Sequence, residues 1–380
     1  MTVQLKGRID SSNATQTEAE IKEQIGGIEG ELILDAGELE YISSAGLRVI
    51  LRLKKENKSA KVINCKAEVY EIFDMTGFTE MMEISKAYRQ LSVDGCEVIG
   101  EGANGLVYRI DADTIIKVYK NPDSLDEIHN ERELARKAFV MGIPTAIPYD
   151  VVKVGELYGS VFEMLNAKSF CKLLIANPDS ADELAKESVE ILKTIHSTEL
   201  KEGELPDKKA EAVMWAEACE VHLSEPTYTR LVQMVRDIPT CNTMLHGDYH
   251  IKNIMKQNGE NLLIDMDTLS MGHPIFEFTS IFLAYEGFGC INTHAITDFF
   301  GISLQAAEDF LAATLKYYFV GKDEAFIRQI KTKAAIIGYA RLLRRTAKRY
   351  AADDPYAKEL IAYCVNYLEE NVGSVASLYY

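Results

Sequence analysis

The spacing of apolar residues changes partway along the chain, and the change divides it in two. At the start, Val3 and Leu5 flank Gln4 in a strand-like alternation. Ser12 suits the N-cap of a helix carrying Glu18, Ile21 and Ile25, which the Gly26-Gly27 pair ends. Glu31-Leu32-Ile33-Leu34 is a short apolar run of the kind that makes a buried strand. After Tyr41-Ile42-Ser43-Ser44-Ala45-Gly46-Leu47, the residues Val49, Ile50, Leu51 and Leu53 interleave with Arg48, Arg52, Lys54 and Lys55. That spacing predicts a helix with one apolar and one basic face. Lys61-Val62-Ile63-Asn64 returns to strand. Val69, Ile72, Phe73 and Met75 predict a short helix ending at Gly77, and Met82-Glu83-Ile84 closes the unit. Alternating strands and helices of this length predict a small α/β domain over residues 1–90, with its junction between Tyr88 and Gly95.

The second part opens strand-rich, with Glu97-Val98-Ile99, Leu106 to Ile110 and Thr114 to Val118. From Asp182 the pattern is helical. Ile191 and Ile195 share a helix face, and Phe310 to Phe319 and Ile327 to Arg344 predict further helices. A domain over residues 96–380 is expected, with a strand-rich small lobe over 96–165 and a helical large lobe over 166–380.

Composition narrows the function. No apolar run approaches the roughly 20 residues that span a bilayer, and Met1 to Lys6 is followed by no long apolar stretch, so no secretory signal is expected. A net charge of −17 over 380 residues argues against nucleic acid as a partner, because phosphate binding needs a basic footprint. The acidity weakly favours a cationic small substrate, and solubility is the preferred explanation. The seven cysteines are scattered, without a Cys-x-x-Cys pair, so reduced thiols in a cytoplasm are expected rather than zinc or disulfides. Arg341, Arg345 and Lys348 fall near one another at helical spacing, as a solvated face or a phosphate patch.

Candidate chemistry lies in the second part. Gly100, Gly102 and Gly105 sit between two strands, and glycines there let backbone N–H groups approach phosphates. Val107 follows where a side chain would cover an adenine ring. Lys117 lies inside a strand, where a lysine needs partners; phosphates and a carboxylate would serve. Glu133 is the preferred carboxylate, with Glu131 the alternative on another helix face. The segment His246-Gly247-Asp248-Tyr249-His250-Ile251-Lys252-Asn253, then Leu262-Leu263-Ile264-Asp265-Met266-Asp267, supplies the parts of phosphoryl transfer. Asp248 would orient an acceptor hydroxyl and take its proton. Asn253 and Asp265 would hold Mg²⁺ through oxygen ligands. His246 reads as scaffold. Asp267 reads either as part of the metal shell or as an anchored structural acid.

From Glu97 onward these motifs resemble the aminoglycoside phosphotransferase and choline kinase group. The carriers are His246-Gly247-Asp248 with Asn253, and Ile264-Asp265. The resemblance implies an α+β bilobal protein-kinase-like fold, ATP or GTP with Mg²⁺, and a small-molecule hydroxyl as acceptor. It also implies that Val161 to Asn166 is the hinge between lobes. Backbone groups of Glu163 and Leu165 would then read the adenine edge, with Phe162 behind them. In Gly272-His273-Pro274-Ile275-Phe276-Glu277 the group usually has Asp where Glu277 stands.

Gly7-Arg8-Ile9-Asp10 with Ile42 to Leu47 resembles the STAS domain of anti-sigma-factor antagonists. That resemblance implies a regulatory protein partner and a phosphorylatable serine at Ser44, although Ser43 stands where the family has Asp. Either serine would also serve as a plain helix cap. The expected function is a nucleotide- and Mg²⁺-dependent small-molecule kinase coupled to a STAS module. The alternative is a nucleotide-sensing regulatory protein of a partner-switching type without significant turnover.

Overall fold

The computed structural model describes residues 1–26, 30–102 and 104–380; Gly27, named above, lies outside them, as does Ala103 of the glycine segment. One compact unit comprises Met1–Asp94 with Val151–Gly159, and the other Gly95–Asp150 with Ser160–Tyr380.

The first unit alternates β1 (Thr2–Ile9), α1 (Ala14–Ile25), β2 (Ile33–Ile42), α2 (Ser44–Glu56), β3 (Lys61–Cys65), α3 (Ala67–Met75), α4 (Phe78–Met81) and β4 (Ile84–Lys86). The strands form a parallel sheet in the order β1-β2-β3-β4. Leu5, Ile9, Leu34, Leu39 and Ile42 of the sheet bury with Val49, Ile50 and Leu53 of α2 and with Phe73 of α3. Strand β2 is much longer than the Glu31–Leu34 run. Leu34, Ala36, Leu39 and Ile42 all point inward, but the alternation slips near Gly37, where the pairing with β1 shifts register. A bulge hides the period of two from a reading of the chain alone. At Gly46 an added Cβ would lie 2.9 Å from the Ile9 carbonyl oxygen, so only glycine lets the start of α2 sit this close to β1. The short β5 (Arg89–Gln90) pairs in parallel with β9 (Asp150–Val154). This pairing groups Val151–Gly159 with the first unit, although the small lobe was expected to contain it.

The second unit begins with the antiparallel strands β6 (Glu97–Glu101), β7 (Gly105–Arg109) and β8 (Thr114–Tyr119). The unit also takes in Ser160–Glu163, the last residues of β10 (Leu157–Glu163). Helix α5 (Leu125–Val140) follows β8 in the chain. The remainder is helical around small strand pairs. It runs through β11 (Lys168–Ser169), α6 (Phe170–Ala176), α7 (Ala181–His196), α8 (Lys208–Glu217), α9 (Glu225–Arg236) and β12 (Met244–Leu245). Then come β13 (Ile254–Gln257), β14 (Glu260–Leu263), β15 (Ser270–Met271), α10 (Ile275–Tyr285), α11 (His294–Phe300), α12 (Leu304–Tyr318), α13 (Glu324–Arg349) and α14 (Pro355–Asn371).

Helix α10 organises this part. Every residue of it is buried, and α13 packs along it. A helix buried on all faces must satisfy whatever polar groups it carries. Thr279 does so within the helix, donating to the Ile275 carbonyl, and Glu277 and Ser280 do so at the site described next. Among the described residues no helix is long and apolar enough to cross a membrane.

Candidate active site

The singled-out residues from Gly100 to Asp267 all fall in the second unit. Between β6 and β7 the Gly102 N–H donates to the Gly105 carbonyl at 2.9 Å. At Gly105 a Cβ would come within 2.5 Å of the Val118 carbonyl oxygen, so β7 can lie against β8 only with glycine there. Val107 is paired directly with Lys117 across the two strands, which puts both side chains on one face of the sheet.

The Lys117 ammonium donates to both carboxylate oxygens of Glu131 at 3.0 Å and to Asp265 Oδ1 at 3.2 Å. The Tyr119 hydroxyl donates to the same Glu131 carboxylate. Burial works to lower the lysine's pKa, but Asp265 and Glu131 outweigh it and hold the group above its ordinary value. The carboxylate on the helix is therefore Glu131, not the preferred Glu133. Glu133 pairs with Arg136 at 3.2 Å on an exposed face. The reason is helical phase: Ile128, Glu131, Leu134, Ala135 and Ala138 form the buried stripe of α5. Glu131 stands three residues after Ile128 and three before Leu134, so the apolar periodicity pointed to it.

The hinge positions follow β10. Met164 donates its N–H to the Asp113 carbonyl at 2.7 Å, while the Leu165 N–H makes no backbone hydrogen bond among the described residues. Glu163 is the last residue of β10 and is exposed.

The loop from His246 to Asn253 is held from below. Glu277 on α10 accepts the N–H groups of His246 at 2.6 Å and Gly247 at 2.9 Å. Glutamate thus provides here the anchor that an aspartate provides in the resembling group. Burial would raise its pKa, but His196, with Nε2 at 3.7 Å, together with His246 and the Gly247 N–H, brings it below the ordinary value. Ser280 donates to the Gly247 carbonyl at 2.7 Å, and Thr268 to the His246 carbonyl at 2.8 Å. Gly247 adopts φ +84°, and a Cβ there would sit 2.4 Å from the Thr268 carbonyl oxygen. Both ring nitrogens of His246 serve the backbone: Nε2 lies 3.2 Å from the Ile264 carbonyl, and Nδ1 accepts the Asp248 N–H at 3.3 Å.

Asp248 projects from this loop with its side chain about half exposed. Its partial burial raises the carboxyl pKa, but the hydrogen bond and charge of His250, aided by His246 and Arg341, hold it down at about 2. His250 Nε2 is 3.5 Å from Asp248 Oδ2, a neighbour the motif contained but to which no role was given. Asn253 Nδ2 donates to the Asp248 carbonyl at 3.0 Å, which leaves its Oδ1 without a hydrogen bond among the described residues. Asp265 has left-handed backbone, φ +67°, a conformation Asp tolerates better than most residues. Asp267 is crowded. Burial, then the charges of Asp265, Glu131 and Asp248, push its carboxyl up to about 7 against the pull of Lys117.

These residues fit a divalent cation. The donors are hard oxygens, Asn253 Oδ1 is free, and the carboxylates repel one another. Among the described residues no group of three or more His, Cys, Asp or Glu side chains is arranged to hold a metal alone. Mg²⁺ rarely needs such a cage, since it usually draws several ligands from water and substrate phosphates.

In the first unit, Ser43 is the N-cap of α2 and accepts the Ala45 N–H at 3.2 Å, while Ser44 begins the helix and is exposed.

Comparison with known proteins agrees with this division of chemistry. Residues 95–327 match the model of the phosphotransferase enzyme family, and residues 1–91 that of the STAS domain. Over 87 residues the chain is 38% identical to BtrV of Bordetella bronchiseptica, named as a candidate anti-sigma factor antagonist; the match covers 22% of this chain and 75% of that protein. Among solved structures, ADP-bound aminoglycoside phosphotransferase APH(2'')-Ib superposes with a TM-score of 0.50 at 16% identity, covering 80% of this chain and 97% of the other. A thermostable mutant of APH(4)-Ia in its apo form gives 0.52 at 14% identity, covering 74% and 94%. At such identities the likeness speaks for the fold.

Proposed function

The chain belongs to the phosphotransferase enzyme family and carries a STAS domain ahead of that region, and on this premise we propose that it transfers the γ-phosphoryl group of ATP or GTP to a hydroxyl of a small molecule. The observation that carries the reading is the meeting of Lys117, Glu131 and Asp265 in one ion-paired cluster, with Asp248 and Asn253 hydrogen-bonded to each other on the loop that Glu277 anchors.

In this reading the strand pair β6–β7 covers the nucleotide, Val107 packs on the base, and backbone groups of Glu163 and Leu165 meet its edge. Lys117, kept in place by Glu131, binds the phosphates. Asn253 and Asp265 would hold Mg²⁺, which when bound neutralises charge on the phosphates. Asp248 aligns the acceptor hydroxyl and receives its proton. Held at about 2, its carboxyl is fully ionised at neutral pH. It is a weak base, which suits a loose transition state in which the proton leaves late and alignment matters most. The STAS unit is assigned a regulatory protein partner, with Ser44, exposed at the start of α2, as its modifiable position. A phosphate there would meet free N–H groups at the helix start.

The test is nucleotide turnover against a panel of hydroxyl compounds, followed by phosphorus NMR. Asp248→Asn is expected to keep MgATP binding and the wild-type melting temperature while losing about 10²–10⁴-fold in rate. Full turnover by Asp248→Asn would remove Asp248 from the mechanism. MgATP binding without transfer to any hydroxyl would favour a nucleotide-sensing role.

A further inference from the structure

Arg341 on α13 is a half-buried cation with no carboxylate within 4.0 Å among the described residues. It is nonetheless fixed in place. Its guanidinium lies 5.1 Å from the ring centre of the buried Trp215, and Nη1 donates to Ser280 Oγ at 3.3 Å. Ser280 in turn donates to the Gly247 carbonyl, so two hydrogen bonds connect Arg341 to the residue preceding Asp248. Burial works to lower the pKa of Arg341, against the charges of Glu211, Asp248 and Glu277. Arg341 is therefore tied through Ser280 to the loop that carries Asp248. A second cation, Lys208, lies 6.0 Å from the same Trp215 ring and is paired with Glu211 at 2.7 Å.

A guanidinium carries five N–H donors in a planar fork that matches an oxyanion. Ser280 accepts one of them. Arginine retained in a partly buried position normally answers a negative charge, and the described residues supply no carboxylate within 4.0 Å. Resting on the phosphotransferase reading above, we propose that the acceptor is a hydroxyl compound bearing a carboxylate or phosphate group, and that Arg341 binds that group while Asp248 aligns the hydroxyl. This reverses the expectation drawn from the acidity of the whole chain. A net charge of −17 is spread over the entire surface, whereas selection at a site follows the charges within a few ångströms of it.

The probes are four compounds of similar size: glycerate and glycerol 3-phosphate as anions, glycerol as neutral, and 3-amino-1,2-propanediol as cation. Their binding to the full chain saturated with MgADP is measured by saturation-transfer NMR. The anions are expected to bind about 10-fold or more tighter than the other two. Arg341→Gln should erase that preference and Arg341→Lys should keep part of it. Lys117→Ala, tested likewise, should keep it, which separates this position from a phosphate site at the nucleotide. An unchanged melting temperature confirms that each variant is folded, and MgADP is raised until Lys117→Ala is saturated; should Arg341→Gln not fold, Arg341→Lys and the wild-type ranking decide. Equal binding of all four probes, tighter binding of the amine, or an anion preference that survives Arg341→Gln or is lost in Lys117→Ala overturns the proposal. Phosphoryl transfer to any hydroxyl is scored separately, so a failure of the enzymatic reading and a failure of the anion preference give different results.

Discussion

The catalytic loop and the lysine cluster meet in one unit but are held by opposite means. The loop from His246 to Asn253 is fastened by backbone hydrogen bonds to buried groups: Glu277, Ser280, Thr268 and the His246 ring. The cluster is made of side-chain ion pairs, and its Asp265 member is about 40% exposed. Buried anchors of the first kind have no substitute in water, so they preorganise Asp248 before any substrate arrives. Ion pairs of the second kind can exchange partners. In the function proposed above, Lys117 would exchange its contact with Asp265 for a triphosphate while Glu131 keeps it in place. One region stores geometry and the other stores charge.

The largest effect that would break this contrast lies at Glu277. Its carboxylate serves two buried N–H groups, and removing it leaves both unpaired while opening a cavity. Glu277→Ala is expected to cost about 3–5 kcal/mol of stability and to abolish turnover. Glu277→Gln, which keeps one acceptor oxygen, should fall between that variant and wild type. Denaturant unfolding measures both. A Glu277→Ala protein that unfolds within about 0.5 kcal/mol of wild type would show that the loop is not held from α10.

A second test separates the regions by pH. His273 precedes α10 in the segment leading to Glu277, is buried, and accepts the Ile275 N–H on Nδ1 at 3.1 Å. Burial, with the charges of His196 and Lys333, lowers its pKa from 6.5 to about 4 against a hydrogen bond to the Tyr380 backbone. The unfolded chain therefore takes up this proton first as the pH falls. The stability His273 contributes is present above about pH 6.5 and is lost progressively from there toward about pH 4. At about pH 5 the loss attributable to it is about 2 kcal/mol. His273→Asn, which retains an acceptor but not the titration, should lose that much less between about pH 7.5 and 5. Equal acid losses in the two proteins would remove His273 from the scaffold argument.

How much of this was visible beforehand follows from how local each signal is. The catalytic loop could be read because Asp248, Asn253 and Asp265 carry their chemistry in contiguous motifs. Glu277 was noticed only as a departure from a pattern. Its role became clear when α10 brought it beneath residues 246 and 247, some 30 positions earlier in the chain. Arg341 appeared as one of a cluster of basic residues, and helical spacing could not show that Trp215 and Ser280 single it out. Strand β2 was underestimated because the register shift beside Gly37 broke the alternation by which a strand is recognised. In each case the missing information is a contact between segments distant in sequence.

The smallest of the expected effects addresses the cluster itself, through the two glutamates of α5. Glu131 is 6% exposed and its carboxylate holds Lys117 while accepting from Tyr119. Replacing it by Gln removes the charge but leaves an amide that still fills the space. The lysine then stays in the fold but is oriented less firmly toward the phosphates. A hydrogen bond between charged partners contributes about 1.5–3 kcal/mol, so Glu131→Gln should raise the KM for nucleotide by about 10–100-fold, with stability changed little. Glu133 pairs only with Arg136, and both side chains are largely in water. Exposed pairs of that kind contribute little that is measurable, so Glu133→Gln should change nucleotide affinity by less than about 2-fold. The two substitutions are chemically identical and lie two residues apart, which cancels generic effects of removing a negative charge from this helix. Calorimetric titration with MgATP reads the difference. Equal losses would mean that α5 acts through its overall charge rather than through one buried contact. A larger loss at Glu133 would mean that the helix turns to a different phase when nucleotide binds, and the distinction drawn here between a fixed loop and an exchangeable cluster would then extend to α5 as a whole.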